Sequence, residues 1–214
     1  MSKRKMEYLS DFLALGIIGL LGAISPGPDF IVVTQSALSH GRKAGIFTAL
    51  GIAIGCLIHI SYCILGIGVI VAQSVLLFNL IKYLGAAYLI YLGIKGILSA
   101  RPHVHAQDIK PVGEAITAST AMKKGLLVNL LNPKVTLFIL SIFTQVIDPL
   151  TPITIQALYG LEFGFIAFGW FALLSCILAN PLLKKKLLSI QHYVEKLLGG
   201  FLILLGIKVA QFSQ

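Results

Sequence analysis

Charge is scarce in this chain of 214 residues: 12% are charged, and only 8 are Asp or Glu, against 17 Lys and Arg. A soluble domain devotes roughly a quarter of its residues to charge. With 57% hydrophobic residues and a mean hydropathy of +0.92, an ordinary water-soluble fold is excluded. Cysteine is scarce too. The three, Cys56, Cys63 and Cys176, all fall within apolar stretches, and an odd number so placed excludes a disulfide framework. No GxxxxGK[ST] occurs, so ATP does not drive this chain directly through a phosphate loop of its own. The basic residues lie in the gaps between apolar runs, with no basic-aromatic patch that could cradle nucleic acid. Metal ligands are sparse: His103-Val-His105 sits in a polar loop with no third ligand in pattern. Ser25, Ser61 and His59 show no spacing that ties a nucleophile to a base, so the chain does not read as an enzyme. No cofactor is implied.

What the chain does have is long apolar runs. Six segments stand out, at about 8–38, 44–70, 77–98, 122–146, 153–180 and 190–212. Each approaches or exceeds the roughly 20 residues that cross a bilayer as helix. Alternating barrel patterning is absent, and in hydrocarbon the backbone must pair within itself, so the expected fold is an all-α polytopic membrane protein. The gaps are Ser39–Lys43, the long polar stretch from Ser99 to Lys124, the turn at Asp148-Pro149, and Asn180-Pro181 with Lys184, Lys185 and Lys186. The N-terminal Met-Ser-Lys-Arg-Lys and its apolar run lack a small-residue cleavage site, and the segment is read as retained.

The two halves resemble each other. Gly85–Lys95 (GAAYLIYLGIK) aligns without a gap to Leu198–Lys208 (LGGFLILLGIK), with six of eleven positions identical. Gly19-Leu-Leu shortly before Ser25-Pro26 has a weaker counterpart in Gly125-Leu-Leu before Asn132-Pro133. The chain is therefore expected to form a single transmembrane domain over 1–214. Repeat 1 covers 8–98, a loop covers 99–121, and repeat 2 covers 122–212. Three spans per repeat force the second copy upside down, the inverted-repeat plan of many secondary transporters.

The most informative stretch is Ile24-Ser-Pro-Gly-Pro-Asp-Phe30, which interrupts the first segment. Pro26 and Pro28 lack amide hydrogens and orphan carbonyls one turn back, and Gly27 loosens the backbone between them. An unpaired backbone group costs several kcal/mol in lipid, so the break requires a polar or protein-lined cavity beside it. The half-helix starting near Pro28 turns its free amides and positive dipole end toward that cavity. Asn132-Pro133-Lys134 repeats the break in the fourth segment, and Asn129 adds an amide. Such a chamber suits a small zwitterion: carboxylate toward amides or Lys134, ammonium toward carbonyls or Asp29. Asp29 has two readings, a first-turn carboxylate that complements the helix dipole or a group that exchanges a proton or binds the substrate amine. Glu162, in the fifth segment, is the other carboxylate candidate. His59 is read as a packing residue, and Gly51-Ile-Ala-Ile-Gly55 as a close helix-packing face within the chain.

Together, Ser-Pro-Gly-Pro-Asp-Phe, Gly-Leu-Leu-Val-Asn-Leu-Leu-Asn-Pro-Lys and Leu-Gly-Ala-Ala-Tyr-Leu-Ile-Tyr-Leu-Gly-Ile-Lys resemble the LysE/RhtB family of amino-acid exporters, from about residue 10 to the C-terminus. The resemblance implies a bacterial inner-membrane exporter of an amino acid or a close derivative, exchanging it for protons. It places family motif positions on Pro26, Gly27, Pro28 and Asp29, and on Asn132, Pro133 and Lys134. Homoserine, threonine, lysine and leucine are substrates within such a family. Ile142–Asp148 departs from it, lacking a proline the family often has before its Gln. The implied partners are an amino-acid substrate, protons and the bilayer; a scaffold this small also suits a homodimer.

Lys and Arg set the expected orientation. With six spans, eleven lie on the side of the odd-numbered loops and five on the other, which places the odd loops in the cytoplasm and both termini outside. Lys3, Arg4 and Lys5 pull the other way, and five spans with a re-entrant first segment is the alternative. A reporter fused to the C-terminus should therefore register outside the inner membrane; a cytoplasmic signal would overturn both forms.

Overall fold

Each of the six apolar segments is mainly helical over its described residues. The structure, a computed structural model, describes residues 3–73, 75–98, 116–147 and 151–211. Among them are eight helices and no strand: α1 Lys3–Ile24, α2 Pro28–His40, α3 Arg42–Gln73, α4 Val75–Leu98, α5 Ala118–Leu130, α6 Pro133–Val146, α7 Ile153–Leu178 and α8 Pro181–Gln211. The first segment is α1 plus α2 and the fourth is α5 plus α6, each divided at its proline motif. Met6–Ile24, Arg42–Gly66, Asn79–Leu98 and Ile153–Leu178 are each long and apolar enough to cross a membrane. Ala118–Leu130 with Pro133–Phe143, bent by 61°, makes a fifth candidate span. His103, His105 and the Asp148-Pro149 turn lie outside the described residues.

Two sequence gaps prove shorter than expected. Between the first two segments only Gly41 leaves helical geometry, at φ 88°, a left-handed conformation that suits a residue without Cβ. At Asn180-Pro181 the next helix begins at once. Pro181 has no amide to satisfy, and the Asn180 side chain accepts from Leu182 N at 3.0 Å and Leu183 N at 3.3 Å. Lys184, Lys185 and Lys186 are thus the first turns of α8 rather than a loop.

Helices in lipid gain little from the hydrophobic effect and associate by close packing. Glycines permit it here. The Cα of Gly51 lies against the Met122 carbonyl, and that of Gly125 against the Thr48 carbonyl, locking α3 to α5. Gly55 makes room for the Asn129 side chain, so the Gly51–Gly55 pair packs within the chain. Between α4 and α8, Gly93 faces the Gly199 carbonyl and Ile203, while Gly206 faces the Ala86 carbonyl and Ile90. These two contact sets interchange when Gly85–Lys95 is aligned to Leu198–Lys208.

Two apolar cores result. One joins α1, α6 and α7 through Leu15, Ile18, Phe138, Ile139, Phe143 and Phe163. The other gathers α2 against α3 and α7 through Phe30, Val33, Ile52, Phe171 and Leu174.

Gly125→Ala drives a methyl into a backbone carbonyl that cannot swing aside. It should destabilise the purified protein by about 1–3 kcal/mol, read as a lower thermal midpoint in detergent. Gly169→Ala meets nothing within 4 Å and should be neutral or slightly stabilising.

Candidate functional site

Each break ends one half-helix and starts another three or four residues on. α1 closes with Ser25 N on Leu21 O at 3.1 Å, and α2 opens at Pro28 with Ile31 N on Gly27 O at 3.0 Å. Gly27, the residue before α2, offers no side-chain cap. α6 opens at Pro133 under a side-chain cap: Asn132 Oδ1 accepts from Lys134 N at 3.0 Å. Asp29 and Lys134 hold the same position in the two motifs, each directly following the proline that begins the new half-helix.

Their partners come from the opposite break. Asn129 Nδ2 donates to Asp29 Oδ2 at 2.7 Å, and Asn132 Nδ2 donates to Asp29 Oδ1 at 3.1 Å. Lys134 Nζ donates to Ser25 O at 2.8 Å, Ser25 Oγ at 2.9 Å and Pro26 O at 2.9 Å. The carboxylate after the first break thus binds the residues that end α5, and the ammonium after the second binds those that end α1. Asp29 also complements the positive end of α2. Lys134 stands at a helix N-terminus, where a cation is unfavourable. The three oxygens of the other break offset that, and the ammonium satisfies two carbonyls that the end of α1 leaves bare. Asp29, Asn129 and Asn132 are buried.

Around this clamp stands a second ring of contacts. His59 Nε2 donates to Asn129 O at 3.1 Å, which leaves Nδ1 to accept from the Tyr62 hydroxyl. Thr136 donates to Asn132 O at 3.3 Å. Cys56 Sγ lies 3.6 Å from Asn129 Nδ2. Of the residues expected from sequence, Pro26, Gly27, Pro28, Asp29, Asn129, Asn132, Pro133 and Lys134 come together. Glu162 does not join them: it is half-buried on α7 against Gly16 of α1. His59, read from sequence as a packing residue, instead touches the second break, as does Cys56. Gly55, Cys56 and His59 follow one face of α3 at helical spacing, a signal available in the sequence.

Two cavities meet at the clamp. The larger, about 420 Å³, runs between the breaks, α4 and α8, with Tyr88, Tyr91, Lys95, Glu195 and Leu202 in its walls. The smaller, about 50 Å³, is mainly apolar and lies under Gly19, Gly22, Phe138, Phe163 and Phe171, with Asp29 in its wall. Ser25, Gly27, Asn132 and Lys134 border both, so the clamp is the partition between them. Among the described residues no group of three or more His, Cys, Asp or Glu could hold a metal.

A family model described as LysE type translocator matches residues 20–212. The chain is 34% identical over 207 residues to the uncharacterized membrane protein YrhP of Bacillus subtilis, covering 94% of this chain and 98% of that one. It is 27% identical to the threonine efflux protein of Escherichia coli K12, covering 92% and 95%. It is 31% identical to the leucine efflux protein of Salmonella choleraesuis, covering 82% and 80%. No solved structure matches the chain.

Replacing Lys134 by Met should strand the Ser25 and Pro26 carbonyls. A hydrogen bond to a charged group is worth about 1.5–3 kcal/mol, so the detergent-solubilised variant should melt several degrees lower. Ser25→Ala removes only one of the three acceptors and should cost less. An unshifted midpoint for Lys134→Met would contradict the clamp.

Proposed function

The chain belongs to the LysE type translocator family, and on that premise we propose that it exports an amino acid or close derivative across the bacterial inner membrane in exchange for protons. The observation that carries this reading is the reciprocal clamp, a charge of each sign held across two broken helices, with Lys134 at the floor of the 420 Å³ cavity and Asp29 bordering the smaller cavity behind it. A zwitterion is the solute that can replace both halves of that clamp. Its carboxylate can draw Lys134 from Ser25 and Pro26, and its ammonium can draw Asp29 from Asn129 and Asn132. The exchange trades charge-assisted hydrogen bonds for others of the same kind, so the partition can open without a large net cost.

Direction follows from which side is filled. The large cavity lies along the second half of α4, which carries Lys95 and leads into the 99–121 loop. By the distribution of Lys and Arg this is the cytoplasmic end. The other end is closed by the core of α1, α6 and α7, where Gly22 lies against the Phe138 ring and Gly19 against Phe163. A cavity open to the cytoplasm and sealed outward is the loading state of an exporter. Alternating access would close the large cavity and widen the small one. Asp29, released from the asparagines, would then take a proton from outside and return it inward. In this reading the six segments are six spans in two inverted repeats, with both termini outside. The interchangeable contacts of Gly93 and Gly206 support that symmetry, as do two breaks at matching positions.

The test is efflux from cells loaded with dipeptides. Overexpression should accelerate loss of at least one released amino acid, and an imposed proton gradient should increase the rate. Asp29→Asn should abolish the response to the gradient, lowering driven export at least tenfold. Unchanged pH-driven export in that variant would remove Asp29 from the coupling. No stimulated efflux across a broad amino-acid panel would overturn the exporter reading.

A further inference from the structure

The walls of the large cavity carry more information than its floor. Charge is confined to Lys134 below, Lys95 on α4 and the buried Glu195 on α8. The rest of the lining is mainly apolar: Ile31 from α2, Tyr88, Tyr91 and Leu92 from α4, and Leu202 from α8. Tyr88, Tyr91 and Lys95 follow one face of α4, and the two tyrosine rings stand 6.1 Å apart, tilted by 34°. Tyrosines of a membrane helix ordinarily gather at the headgroup level, near the helix ends. Tyr88 instead lies near the middle of α4, which runs from Val75 to Leu98, and both tyrosines line the cavity.

We infer that this cavity selects amino acids with bulky apolar or aromatic side chains, and that Tyr88 and Tyr91 determine that specificity. The inference rests on the exporter reading above and deepens it. The substrate's charged head faces the floor at Lys134, with Asp29 just behind it on the smaller cavity. Its side chain then extends along α4, between the tyrosine pair and Leu202. A small hydroxy amino acid reaches the floor but leaves the walls in contact with water. A leucine, methionine or phenylalanine side chain covers them, and a ring can pack edge or offset against the tyrosines. A few methylenes in an apolar pocket discriminate by roughly 10–200-fold.

The experiment uses the full chain in cells loaded separately with dipeptides that release leucine, phenylalanine, threonine or serine. Wild-type efflux of leucine and phenylalanine should exceed that of threonine and serine by about tenfold or more. Tyr88→Ala and Tyr91→Ala, at equal membrane abundance, should erode the leucine and phenylalanine rates about tenfold and spare the threonine rate; Tyr→Phe at either position should restore them. Threonine or serine leaving as fast as leucine overturns the inference while the exporter reading stands. So does an equal loss for all four substrates in the alanine variants. The wild-type preference is read without any variant, so a misfolded mutant does not shield the idea. An abundant protein that exports none of the four, nor any other amino acid, overturns both.

Discussion

A backbone carbonyl at membrane depth must find a donor, and two proline motifs deprive this chain of several. Lys134 supplies the donor for the first break, reaching Ser25 and Pro26 with three hydrogen bonds. Water is the usual remedy for an exposed helix end in a soluble protein; within a bilayer another protein group has to do the same work, and here it is a charged side chain. Once that ammonium is committed, α1 and α6 have to meet, and α2 and α5 are brought beside them by the matching grip of Asn129 and Asn132 on Asp29. The positions of the cavities and the division into two cores follow from that crossing.

Such a clamp is strong yet exchangeable. Its hydrogen bonds are charge-assisted, so simply breaking them is costly, while substituting an equivalent partner is not. A rigid apolar seal would lack this property, because nothing dissolved in water could replace it. The apolar side of the partition shows the contrast: the Phe138 and Phe163 rings close over Gly22 and Gly19 with no polar group to exchange. On the exporter reading proposed above, the polar partition is the part that a solute carrying both charges would open.

The surrounding helices are held tightly enough to keep the clamp in register. Glycines bring α3 against α5 and α4 against α8 at the level of backbone contact. His59, from α3, adds a hydrogen bond to the carbonyl of Asn129, the residue whose amide holds Asp29. Reorganisation at the site is thereby coupled to α3, which also carries Cys56 and Tyr62.

Much of the architecture is a local matter and is legible in the chain. Apolar length dictates helix in lipid, proline removes an amide wherever it stands, and Pro26, Pro28 and Pro133 therefore announce the breaks. The extent of the helices around Gly41 and Asn180 was less legible, because a single capping side chain or one left-handed glycine shrinks a polar gap to a corner. The sequence alone also made Asp29 and Lys134 candidates, as charges in apolar surroundings. Only the tertiary structure decided what they hold. Asp29 meets Asn129 across 100 residues and Lys134 meets Ser25 across 109, and no spacing rule reaches that far. The same holds for His59, joined to Asn129 across 70 residues, and for the tyrosines that α4 presents to the cavity. Local chemistry fixes where a helix must stop; which distant group satisfies the broken end depends on how the helices pack.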